Sequence, residues 1–115
     1  MELIERQEDD VLVVEISGEL MGGPETEKFR RVVDNAIERE STLVVVDLKD
    51  VSWMNSSGLG MLISALTSLR GAGGDLVLAN LSERLQRPIQ ITKLDTVLKS
   101  YDSVSDAVTK LRSSS

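Results

Sequence analysis

The chain contains no cysteine and no histidine. The first absence removes disulfides, thiolate nucleophiles and Cys-ligated metals. The second removes serine–histidine–acid triads, imidazole general bases and phosphohistidine chemistry. No nucleophile–base pair can be assembled except with a Lys or carboxylate base, so an enzyme is not expected. Aromatic residues make up only 3% of the chain, which obliges the core to be aliphatic. Positive charge is in deficit too: 13 Lys and Arg stand against 19 Asp and Glu, for a net charge of −6. No Lys/Arg cluster interrupts that balance, which argues against a nucleic-acid surface and against docking on an anionic membrane. The longest apolar runs, such as Leu43–Val46, fall far short of a membrane span. Met1–Glu5 is acidic and carries no apolar signal region. The expected location is therefore the cytoplasm.

The chain does carry an alternation of strand and helix signals. Its 115 residues fit one domain, expected over residues 1–112, with 113–115 as a disordered C-terminal tail. Leu3–Gln7 and Val11–Ser17 read as a hairpin around the polar turn Glu8-Asp9-Asp10, the second strand ending at Gly18. Gly22-Gly23-Pro24 breaks the chain. Pro24 suits the first position of a helix, where no backbone donor is needed, and Glu25 and Glu27 complement the helix dipole. Phe29, Val32, Val33, Ala36 and Ile37 recur at helical spacing. Leu43–Leu48 is a near-continuous apolar run, as expected of a central strand buried on both faces.

A loop from Lys49 to Asn55 is expected to follow. A helix with apolar positions Leu59, Leu62, Ile63, Leu66 and Leu69 comes next, closed by Gly71–Gly74. Asp75–Asn80 is the next strand. Ser82 can cap a third helix toward Lys93, with Pro88 predicting a kink or a late start. Val97–Tyr101 reads as an edge strand, and Ser103 with Asp106 as a capping box for a last helix. The predicted fold is a single α/β domain: a mixed sheet of four to five strands with about four helices, ordered β-β-α-β-α-β-α-β-α.

The segment with chemical interest is Met54–Gly60, which joins the central strand to an amphipathic helix. On the bland reading Asn55 and the serines merely cap a helix, and Gly58 and Gly60 permit close packing. On the functional reading the same helix start suits an anion. A phosphoryl group on Ser57 would meet the positive end of the dipole and add roughly −1.5 to −2 charges without melting the helix. Such a switch changes the surface that a partner sees. Ser57–Gly60 is no P-loop, because no Gly-Lys-Ser/Thr follows. The glycosylation patterns at Asn55 and Asn80 are chance matches in a chain without a secretion signal. Asp47 and Asp50 lack a third ligand for a metal and are expected to be solvated loop acids. Trp53 is expected in the core or half-buried, with a partner anchor as the other reading. No cofactor and no metal site are expected.

Val46–Gly60 resembles the signature of STAS domains, specifically the bacterial anti-sigma factor antagonists. Ser17–Leu20, Gly71–Leu76, Thr92–Asp95 and Tyr101–Ser103 agree with further parts of the family pattern. The resemblance implies a partner switch. The antagonist binds an anti-sigma factor that is also a serine kinase and so frees the sigma factor. That kinase phosphorylates the second serine of the motif, which maps to Ser57, and a PP2C-type phosphatase reverses it. Met21, Gly22, Asn55, Ser56, Ser57, Gly58 and Leu59 would then form the partner-binding surface. Asn55 and Met21 stand where the family usually carries Asp, which removes two acids near the site.

Three other functions compete. One is an unphosphorylated STAS interaction subunit or scaffold of a larger complex; it predicts stable co-purification and no phosphate. Another is a small-ligand or nucleotide regulator, which lacks a phosphate-binding lysine motif. The third is an enzyme.

Overall fold

A computed structural model describes residues 1–114. The hairpin is formed by β1 (Glu2–Glu8) and β2 (Val11–Leu20), paired antiparallel. A single 3-10 turn, Gly23–Glu25, leads into α1 (Thr26–Glu38). Then come β3 (Leu43–Met54), α2 (Ser56–Gly71), β4 (Asp75–Ala79) and α3 (Glu83–Ile91). A second 3-10 turn, the short β5 (Ser100–Tyr101) and α4 (Val104–Ser114) complete the chain. Among the described residues the strands form one sheet in the order β1-β2-β3-β4-β5, with every pair after the first parallel. The predicted order and class of elements are those observed.

The alternation within each strand decides the layers. Leu12, Val14 and Ile16 of β2, Val44, Val46 and Leu48 of β3, and Leu76 and Leu78 of β4 pack on Phe29, Leu62, Leu66 and Leu85 of the first three helices. The intervening Val11, Val13, Val45, Val77 and Ala79 face Ala107, Val108 and Leu111 of α4. Leu43–Leu48 is thus covered on both sides, as its unbroken hydrophobicity predicts.

Several boundaries differ from the expectation, each for a physical reason. β2 does not end at Gly18. The ladder shifts register on either side of that residue, which adopts φ 94°, with one extra residue of β3 at each shift, and continues to Leu20. Of the expected loop Lys49–Asn55, all but the last residue is instead the second half of β3: Val51 and Met54 are buried and pair with Gly18 and Leu20. Pro24 opens the 3-10 turn rather than α1 itself. Pro88 neither delays nor ends α3, which starts directly after the Ser82 cap. The chain leaves α3 through Lys93 at φ 60°. α4 runs past Arg112 to Ser114, with the Ser113 hydroxyl donating to the Lys110 carbonyl. Residues 113 and 114 of the expected tail lie within the bounds of α4, and Ser115 lies outside the described residues.

Asp47 is no solvated loop acid. It is 5% exposed within β3, where Oδ1 accepts from the Lys49 backbone N–H (3.0 Å) and from Asn80 Nδ2 (2.9 Å). Asp50 is exposed. Among the described residues no three acidic side chains converge as a metal site requires. Asp47→Ala leaves two donors without their acceptor and should cost about 1–3 kcal/mol in urea unfolding. Asp50→Ala should stay within about 0.5 kcal/mol of wild type.

Candidate functional site

The site lies where β2 and β3 end and α2 begins. Asn55 is the cap of α2, with its side-chain oxygen accepting from the Gly58 N–H at 2.8 Å. Its own backbone N–H donates to the carbonyl of Leu20 at 3.2 Å, tying the helix start to the end of β2. Gly58 sits directly on that carbonyl. A Cβ at this position would overlap the Leu20 oxygen, so only glycine lets the helix approach the strand this closely. Gly60 is different: nothing lies within 4 Å of where its Cβ would be. Of the two glycines expected to serve packing, only Gly58 does.

This clamp turns the next two residues outward. Ser56 and Ser57 are exposed on the first turn of α2, where backbone donors have no intrahelical partner. Ser57 faces the turn after β2. A Cβ on Gly22 would stand 2.7 Å from the Ser57 Cβ, and Gly22 itself adopts φ 80°, ψ −150°, a conformation nearly confined to glycine. Met21, just before it, is 41% exposed. Ser56 instead borders a groove between α2 and α3, together with Asn55, Leu59, Arg84, Arg87 and Ile91. The predicted set Met21, Gly22 and Asn55–Leu59 is therefore brought together in one place. Within it Gly58 and Leu59 are buried, and Leu59 reaches the surface only as part of the groove wall.

Trp53 is 44% exposed, half-buried rather than part of the core. The strand carries on past Leu48, so Trp53 takes an outward position opposite Glu19, between the inward Val51 and Met54. Sequence reasoning missed the α3 side of the groove, although Arg84, Arg87, Pro88 and Ile91 follow helical spacing. The site is almost free of acid on α2, whose first turn holds none. No helix among the described residues is long and apolar enough to cross a membrane.

Comparison with known proteins follows the same outline. The family model of the STAS domain matches residues 3–107. The anti-sigma-B factor antagonist of Listeria monocytogenes is 31% identical over 96 residues, covering 84% of this chain and 83% of that protein. A crystal structure from Thermotoga maritima superimposes with a TM-score of 0.86 at 27% identity, covering 96% of this chain and 94% of the other. The phosphorylated form of a Bacillus cell fate determinant shares the fold, with a TM-score of 0.73 at 21% identity over 95% and 98% of the two chains.

The two glycines give a direct check of the clamp. Gly58→Ala should destabilise by about 3 kcal/mol or more, since backbone must move to admit the methyl group. Gly60→Ala should stabilise by about 0.5–1 kcal/mol, as expected for an exposed mid-helix glycine. Thermal melts of the two variants against wild type read both effects.

Proposed function

The chain belongs to the STAS domain family, and on that premise we propose that it is an anti-sigma factor antagonist whose partner binding is switched at Ser57. The observation that carries the proposal is an exposed serine on the first turn of a rigidly capped helix, lodged against a glycine turn that displays an apolar side chain. The partner is an anti-sigma factor with serine-kinase activity, and a PP2C-type phosphatase restores the free hydroxyl. The domain is a ligand and a substrate of these enzymes and performs no catalysis of its own.

The physics of the switch follows from the first turn of α2. A phosphoryl group on Ser57 sits at the positive end of the helix dipole, so the helix tolerates it. Gly22 brings this turn close to Ser57, since a Cβ on Gly22 would stand 2.7 Å from the Ser57 Cβ. The modification therefore lies beside Met21–Gly22 and replaces a neutral surface with a doubly charged one. Met21 and Trp53, both exposed, are the apolar contacts that a partner would cover. Loss of binding then comes from repulsion and desolvation at the interface, with the fold unchanged.

An unphosphorylated interaction subunit is the second reading. It draws on Asn55 and Met21, which leave no carboxylate beside the acceptor serine to help a kinase recognise it.

The two readings part in a binding experiment. Calorimetric titration with serine-kinase anti-sigma factors from the same genome should show Ser57→Ala binding like the unmodified chain. Ser57→Asp should bind at least about tenfold more weakly, a difference of roughly 1.4 kcal/mol. Equal binding by both variants would rule out the phosphoswitch and leave the unswitched subunit.

A further inference from the structure

We infer that the groove between α2 and α3 is a second docking subsite, built for a segment of the protein partner that carries an apolar anchor flanked by carboxylates. This rests on the reading of the Ser57 face as the partner-binding face. One wall of the groove is Ser56 and Leu59 of α2; the other is Arg84, Arg87, Pro88 and Ile91 of α3. Positions 84, 87, 88 and 91 recur at the spacing of one helical face. The opposite face, Leu85 and Ile89, is buried in the core. α3 is thus fixed from below and presents a stripe of two cations and two apolar side chains above.

Three observations select an acidic, apolar partner segment. First, Ile91 is 71% exposed, more than the other exposed large hydrophobic residues Ile4, Met21 and Trp53. Covering it removes apolar surface from water, which favours association. Second, Arg84 and Arg87, like Arg30 and Arg39, form no ion pair among the described residues, and of these four only Arg84 and Arg87 stand one turn apart, lining the same groove as the exposed Ile91. Two unmatched guanidinium groups one turn apart, on a chain of net charge −6, mark a local reversal of sign. Charge complementarity there steers and orients an acidic segment. Third, of the first-turn donors of α2 the Gly58 N–H is already taken by the Asn55 side chain, which leaves fewer backbone amides for a free phosphate or nucleotide.

The groove also couples to the switch. Ser56 lines it and Ser57 is the adjoining residue. A phosphoryl group on Ser57 adds negative charge one residue from the groove and makes the approach of incoming carboxylates less favourable. One modification then adds charge to both halves of the surface, beside Gly22 and next to the groove.

The test uses the full chain and the anti-sigma factor kinase that binds it most tightly, titrated at low and moderate salt. Arg84→Glu/Arg87→Glu should weaken binding by more than about tenfold and flatten its salt dependence. Arg30→Glu/Arg31→Glu on α1 makes the same change in net charge away from the groove and should bind like wild type. The milder Arg84→Gln/Arg87→Gln should fall between wild type and the reversal, and thermal melts confirm that each variant is folded. Wild-type affinity and salt slope in the α3 reversal would overturn the proposal, as would an equal loss in the α1 control. A melting shift with millimolar nucleotide that the α3 reversal abolishes, with partner binding untouched, would overturn it in favour of a nucleotide site. If neither wild type nor Ser57→Ala binds any of the kinases, the antagonist reading fails and the groove proposal falls with it; failure of the groove alone leaves Ser57→Ala binding intact.

Discussion

The carbonyl of Leu20 is the point on which the site depends. It accepts the Asn55 N–H and takes up the space where any side chain on Gly58 would have to go. Strand and helix therefore meet backbone to backbone at the end of β2. Asn55 closes the arrangement from the other side, since its side chain satisfies the Gly58 donor. With both ends of this short connection fixed, Ser56 and Ser57 have no freedom to turn inward. A fixed platform of this kind converts a local change of charge into a change of surface, because neither the helix start nor the strand end can yield to absorb it.

The platform in turn depends on ordinary packing. β2, β3 and β4 are covered on both faces over their first halves, by α1–α3 on one side and α4 on the other. Past that region β2 and β3 run on together to Leu20 and Met54, uncovered by α4 but still paired. They project the site beyond the core while keeping it on regular structure. Two register shifts flanking Gly18, each with one extra residue on β3, leave the strands paired over this extension.

Much of this was legible in the residues alone. Uninterrupted Leu43–Leu48 predicted a doubly covered strand, the helical repeats predicted α1 and α2, and Asn55 with Gly58 predicted a capped helix start. The reading failed where a local signal has two physical meanings. Gly18 signals either the end of a strand or a bulge within it, and only the partner strand decides. Lys49–Met54 is polar enough for a loop, yet its Val51 and Met54 belong to the sheet once β2 continues beside it. Asp47 reads as a solvated acid in sequence because its acceptor role needs Asn80, 33 residues away. Gly58 and Gly60 look alike in sequence, and only the Leu20 carbonyl separates them. The α3 wall of the groove was out of reach for the same reason, since nothing in the sequence brings Arg84 and Arg87 to the side of Ser56.

The account predicts that the domain carries its signal on one side chain. The most direct measurement is intact-mass analysis with site mapping, after incubation with ATP and each serine-kinase anti-sigma factor of the same genome. A single phosphate on Ser57, with Ser56 unmodified, is the predicted result, and it would make Asn55 and Met21 compatible with kinase recognition. No phosphate from any kinase that nevertheless binds the chain, or a phosphate confined to Ser56, would contradict the switch at Ser57.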